Sequence, residues 1–225
     1  MLIATESWKS TYPGACIGVL ALQGAKNPEQ SPVLEAQKFS LEQLLRESFA
    51  GMDRATLKAH PTLAAYAAYY KAFKKTYHVQ LQLESIVFKG KSIPKVAALV
   101  EAMFMAELKN LLLTAGHDLD TIQGAPTVNV ATGDETYIKL NGQEQVLKAG
   151  DMYIHDTEGV LSSIIYGPAQ RTSITAGTTH ALFTTYGPPG ISSEQMGLHL
   201  EDIKDYSMLI SPDLRVESLE VISAV

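Results

Sequence analysis

Residues 93–135 constrain the chain most: IPKVAALVEAMFMAELKNLLLTAGHDLDTIQGAPTVNVATGDE. From Pro94 the apolar positions Val96, Leu99, Val100, Met103, Leu108, Leu111 and Leu112 recur at helical spacing, which predicts an amphipathic helix ended by Gly116. An acidic turn follows at Asp118 and Asp120, and beyond it the period drops to two, with Val128 and Val130 alternating. A chain that is helical before this point and strand-like after it is predicted to be α+β, because alternating βα units would mix the two periods throughout.

The segment before it reads as one strand and several helices. Tyr12-Pro13-Gly14 is a turn, and the apolar run at residues 15–22 predicts a buried strand containing Cys16, the only cysteine. Ser31-Pro32 offers a cap and a first-turn proline to a helix with Leu41, Leu44, Leu45 and Phe49 on one face, stopped at Gly51. His60-Pro61 opens another, with Leu63, Tyr66, Ala67, Tyr70 and Phe73 at helical spacing. Val79, Leu81 and Leu83 alternate with Gln80 and Gln82, which suits a half-buried strand or the lead-in to a helix. Lys89-Gly90-Lys91 is a turn and lacks the glycine spacing of a phosphate loop. After residue 135, Asn141-Gly142 predicts a tight hairpin. Further short strands run to a Thr-rich strand at residues 175–185, and Ser192 and Gln195 have capping-box spacing for a last helix before a strand at residues 214–222.

Composition enters where it excludes function classes. One cysteine excludes an intramolecular disulfide framework and a multi-cysteine zinc site, and no histidine pair has helical i, i+4 metal spacing, so neither a metal nor a cofactor is expected. No apolar run is long enough for a membrane span, and MLIATESWKS lacks a basic leader with a long apolar core, so a cytoplasmic protein is expected. The net charge of −6 is unusual for a protein held to phosphates by bulk charge. Its distribution is uneven. Lys58, Lys71, Lys74, Lys75, Lys89, Lys91 and Lys95 face only Glu84 within residues 58–95. Tyr66, Tyr69 and Tyr70 interleave with Lys71, Lys74 and Lys75, a pattern that could stack bases and hold phosphates, although buried tyrosines beside a solvated lysine face explain it more plainly.

Candidate chemistry gathers at the acidic turn and the late strand. Asp118 and Asp120 could orient water or bind an amine, or simply cap a turn; His117 could act as a base near neutral pH. His155 closes a strand beside Asp156. Thr175, Thr178, Thr179 and His180 offer donors for a ribose and ester, though threonine also merely favours strands. Arg171 could pair with a phosphate or carboxylate.

Ile93-Pro94, Leu99-Val100-Glu101, Gly116-His117-Asp118-Leu119-Asp120-Thr121-Ile122-Gln123-Gly124 and Gly133-Asp134-Glu135 together resemble the B3/B4 domain of the phenylalanyl-tRNA synthetase β subunit, and more closely the free-standing B3/B4 proteins. The resemblance runs from about residue 12 to about residue 186, with a C-terminal helix and tail beyond it, in what is expected to be a single domain. It implies a layered fold with an unusual β-sandwich, packed helices, a helix-rich N-terminal half and a β-rich C-terminal half. It also implies a binding module for tRNA or the 3′ end of aminoacyl-tRNA, with Lys71, Lys74, Lys75, Lys89 and Lys91 as RNA contacts. Two further readings follow: trans-editing hydrolysis of a mischarged aromatic aminoacyl-tRNA, with His117, Asp118 and Thr179 as catalytic groups and Asp120, His155, Arg171, Thr175, Thr178 and His180 binding substrate, or binding of a small aromatic ligand such as an amino acid. Where the synthetase motif carries a His three positions before the first Asp, this chain has Ala115. An Asn of the preceding helix falls on Phe104, and a late-strand acid near Thr184.

Overall fold

The computed structural model describes residues 2–225. Its elements are β1 (Ile3–Ala4), α1 (Glu6–Thr11), β2 (Cys16–Gln23), α2 (Pro32–Ser48), α3 (Arg54–Lys58), α4 (Pro61–Ala72), α5 (His78–Lys89), α6 (Ala98–Asn110), β3 (Leu113–Asp118), β4 (Thr127–Val130), β5 (Thr136–Ile138), β6 (Glu144–Val146), β7 (Met152–Asp156), β8 (Gly159–Ser163), β9 (Gly167–Pro168), β10 (His180–Gly187), α7 (Ser193–Ile210) and β11 (Arg215–Ser223), with single 3-10 turns at Leu119–Thr121 and Gln170–Thr172. The fold is α+β and layered. One sheet has the order β11-β2-β10-β3, a second β1-β4-β7-β8-β9, and β5 and β6 form a separate hairpin.

Strand alternation sorts β2 into two cores. Ile17, Val19 and Ala21 join Leu182 and Tyr186 of β10 against Val128, Met152, Ile154 and Leu161 of the second sheet, which makes the sandwich interior. Leu20 and Leu22 face the other way with Phe183, against Leu99 and Met103 of α6 and Leu200 and Ile203 of α7. The contact between α7 and β2 is close: a β-carbon at Gly18 would lie 2.6 Å from Met196 Sδ and 3.1 Å from Leu200. The capping box of Ser192 and Gln195 starts α7, and Ser31 caps α2 through the Leu34 amide, as the side-chain chemistry predicts.

Two local expectations are corrected and an open alternative is resolved. The central helix stops at Asn110 rather than Gly116, because Leu111 takes the left-handed conformation, with φ of 61°, and its carbonyl accepts a bond from the Tyr77 hydroxyl at 3.1 Å. The run from Leu113 is therefore a strand, and the acidic corner ends a strand rather than a helix. Residues 79–83 are helical: Val79 and Leu83, four apart, are buried, while Leu81 is exposed. Residues 175–179 of the Thr-rich segment form a turn, and the strand itself begins at His180.

The helical half is fastened to the sandwich by tyrosine hydroxyls. Tyr66 donates to the Tyr186 carbonyl and accepts from the Leu113 amide at 3.0 Å; Tyr70 donates to the Ile164 carbonyl at 2.5 Å; Tyr69 donates to Asp151 at 2.8 Å and accepts from the Met152 amide at 2.6 Å. A buried ion pair ties α2 to α6, with Lys38 Nζ 3.0 Å from Glu101 Oε1.

Two stability predictions follow from this packing. Gly18→Val displaces α7 from β2 and should cost about 1–3 kcal/mol in urea unfolding. Lys38→Met leaves Glu101 buried without its cation and should cost about 3–5 kcal/mol by the same measurement, more than Glu35→Gln at the solvated end of the cluster.

Candidate functional site

β3 is an edge strand of its sheet, and a cleft of about 210 Å³ opens along it. Val100, Met103 and Phe104 of α6 form one wall, Ile174 and Pro168 another, and Leu140 from the tip of the β5–β6 hairpin stands over it. The hairpin's Asn141-Gly142 turn, with Gly142 at φ of 78°, is what brings Leu140 there. Polar groups are few: Glu107, Thr114, Ser173 and, at the more exposed side, His78.

Glu107 is the group that distinguishes this cleft. It lies on a largely buried helix and is 2% exposed. Its Oε1 accepts the Thr114 amide at 2.7 Å. Burial pushes its carboxyl up to about 8 against that one hydrogen bond, so near neutral pH it is mostly the uncharged acid. Behind it, Thr114 Oγ1 lies 2.7 Å from His199 Nε2 and 2.9 Å from Thr185 Oγ1, and burial lowers His199 to about 4, keeping it neutral. An acid held protonated can donate a hydrogen bond inside an apolar hollow.

The residues singled out from sequence fall in three other places. His117 and Asp118 are consecutive on β3, so the pleat sends them to opposite faces of the sheet. His117 points into the sandwich, is fully buried, and has Nδ1 2.9 Å from Thr172 Oγ1. Burial first, and then the nearby Arg171, lowers it to about 3. It is a neutral core histidine with no solvent path. Arg171 is committed to Asp156, reaching its two oxygens at 3.1 and 2.5 Å, and to the Gly159 carbonyl at 3.0 Å. Burial opposes ionisation of Asp156, but the Arg171 hydrogen bonds and the Gln123 and Glu158 amides hold its carboxyl below the usual range.

Asp118, Asp120, Thr175, Thr178 and His180 do come together, at the open end of β3 and β10. Asp118 accepts the Thr178 hydroxyl at 2.7 Å and the Asp120 amide at 3.2 Å; Thr178 also accepts the Thr175 amide. His180 bridges Asp120 at 3.0 Å and Glu217 at 2.5 Å. These bonds close a turn and pin a strand end. Thr179 is exposed, with its carbonyl accepting the Ala25 amide, and His155 stacks on Tyr153. None of these residues lines the cleft.

The lysines split likewise. Lys71, Lys74 and Lys75 stand at the end of α4, and Lys89 and Lys91 at the far end of α5, which at about 1.5 Å per residue puts roughly 17 Å between the groups. Lys75 lies 5.3 Å above the Tyr166 ring, and Tyr166 precedes the Gly167 of the cleft wall. Sequence reasoning missed Glu107. The available signal was an acid with Met103, Met105, Ala106, Leu108 and Leu111 as its near neighbours in a largely apolar helix.

No helix among the described residues is long and apolar enough to cross a membrane. No curated protein matches the chain. Among solved structures, an N-terminal fragment of the phenylalanyl-tRNA synthetase beta-subunit from Pyrococcus horikoshii is similar at 12% identity and a TM-score of 0.48, over 98% of this chain and 50% of that one, so the chain spans about half its length. The B3/4 domain matches residues 63–223, from α4 through β11 and well over half of the chain, and the protein therefore belongs to the B3/4 domain family.

Proposed function

We propose that the protein is a binding module for the aminoacyl 3′ end of a transfer RNA, with the cleft along β3 taking an aromatic side chain. The observation that carries this reading is Glu107, an acid buried in an apolar hollow, where burial favours its protonated form. A cavity of ~150 Å³ lined by apolar side chains is enough for benzene, so about 210 Å³ accepts one phenyl or phenol ring and not a nucleoside. A neutral carboxyl beside that ring rewards a hydroxyl and leaves a buried polar group unpaired when the hydroxyl is missing. Phe104 and Ala115, aligned with an Asn and a His of the synthetase, both line this cleft. Its polar work therefore passes to Glu107 and Thr114. Lys75 and its neighbours at the end of α4 stand beside the mouth, where the phosphates of a strand entering the cleft would run.

Hydrolysis in trans is the second reading, favoured only by His78, the one imidazole on the cleft wall, which burial holds below the ordinary histidine value and so keeps available as a base. It is decided by the decay of tyrosine esterified to tRNA. Equal rates with and without the protein remove it.

The binding reading makes three predictions. N-acetyltyrosinamide, which carries no ionised group near neutral pH, should raise the melting temperature more than N-acetylphenylalaninamide. Its affinity should fall as pH rises through about 8, because ionised Glu107 in an apolar cleft repels a ring and no longer donates; Glu107→Gln should bind with no such pH dependence. Val100→Trp, which fills the cleft from its half-buried wall, should weaken tyrosyl-tRNA binding about tenfold or more in filter-binding titrations and leave deacylated tRNA unaffected. Equal binding of both tRNAs by the wild type would leave the cleft without a ligand.

A further inference from the structure

A second hollow, larger than the cleft, lies around the end of α4. It measures about 710 Å³, the size of a small-molecule site rather than of a single ring. Tyr69 and Phe73 form its floor, Tyr12 and Pro189 its sides, and Lys74 and Lys148 its cationic end; no acidic residue lines it.

The aromatic floor is fixed before any ligand arrives. Tyr69 donates to Asp151 and accepts from the Met152 amide, the Tyr12 hydroxyl donates to the Gly150 carbonyl, and Ser163 donates to the other Asp151 oxygen. Ring centroids stand 5.6 Å apart for Tyr12 and Tyr69 and 5.2 Å apart for Tyr69 and Phe73. Rings held in this way lose little freedom when a flat ligand stacks on them.

Lys74 is the second, independent observation. The Lys74 amide bonds the Lys71 carbonyl and the Lys75 amide bonds the Tyr70 carbonyl, both at 3.0 Å, which is the Schellman ending of a helix. Its left-handed position is usually glycine, yet here it is lysine at φ of 57°. The chain accepts a strained backbone to place an ammonium at the groove. Lys148 reaches the same end and spends one of its three donors on the Phe73 carbonyl at 2.9 Å.

We propose that this groove binds one nucleotide of a single-stranded RNA segment, with the base stacked on the half-buried Tyr12 ring and a phosphate between Lys74 and Lys148. Two cations with no carboxylate in the lining select an anion, and an aromatic lining favours a base over an aliphatic chain. The α4–α5 turn joins the two hollows, since Phe73 and Lys74 line the groove, Lys75 sits on Tyr166, and His78 lines the cleft. This proposal deepens the RNA reading and rests on it: the cleft takes the aminoacyl group, and the groove takes a nucleotide a short way along the same strand.

The test uses deacylated bulk tRNA and adenosine monophosphate with the full chain. Lys74→Gly should melt at a higher temperature than wild type, since glycine suits φ of 57°, yet bind tRNA about fivefold more weakly with a log-affinity against log-salt slope smaller by about 1. Tyr12→Leu should weaken both tRNA and the mononucleotide by about tenfold. If wild type binds tRNA and both variants bind it equally well with the same slope, the groove proposal is overturned and the RNA reading stands. If wild type binds neither tRNA nor the mononucleotide, both fall together.

Discussion

The tyrosine hydroxyls of α4 and of the start of α5 hold the two halves of this protein in register. Tyr66, Tyr69, Tyr70 and Tyr77 each give a phenol to a strand-end or loop group on the sandwich side: the Tyr186 carbonyl, Asp151, and the Ile164 and Leu111 carbonyls. Strand ends are where a sheet runs out of backbone partners, and an unpaired buried group there costs about 1–3 kcal/mol. Burial keeps all four phenols far from ionising, so they remain dependable donors. The rings pack among themselves as well, Tyr66 on Tyr77 face to face at 4.2 Å. Apolar residues at these positions would fill the same volume and leave the strand ends unsatisfied.

Both hollows inherit their shape from this clamp. Tyr66 and Tyr77 fix Leu113 and Leu111, which bracket the reversal from α6 into β3, and that reversal puts Glu107 beside the Thr114 amide at the cleft. Tyr69 fixes Asp151 and Met152, which set the turn under the groove. Burial raises Asp151 to about 7 despite the Ser163 and Tyr69 hydrogen bonds, as it raises Glu107 to about 8. Both acids bind more protons folded than unfolded near neutral pH, so each contributes stability that is present at low pH and lost as pH rises through its folded value. His117 and His199, depressed to about 3 and about 4, work in the opposite sense, losing stability as pH falls below the ordinary histidine value. Taken together these four groups favour mildly acidic pH, between the ordinary carboxyl and histidine values, with stability falling on either side.

Belonging to the B3/4 domain family supplies a scaffold, and the residues on it decide what is bound. In this chain the cleft is largely apolar, with Phe104 and Ala115 on its walls. Glu101, the acid nearest that motif on the helix, faces away and is held by Lys38 and the Val96 amide. Thr184 is buried in the sandwich face of β10.

Much of the architecture was legible in the sequence, because it rests on local chemistry. The Ser31 and Ser192 caps, the Asn141-Gly142 hairpin, the buried strand at Cys16 and the final strand at Arg215 all follow from side chains acting within a few residues. The period change beyond Asp120 announced the α+β class, although apolar periodicity could not tell that Leu111 would turn left-handed and convert the end of the helix into β3. The site was less legible. Spacing made His117 and Asp118 look like partners, and the strand pleat set them on opposite faces. Arg171 looked free until folding brought Asp156 to it across the β8 turn. Glu107 looked like an ordinary helix residue, and only the arrival of β3, Ile174 and the hairpin tip around it made it a buried acid. Local hydrogen bonding and periodicity determine the elements; burial and charge pairing between distant segments determine which of their side chains keep any chemistry to offer.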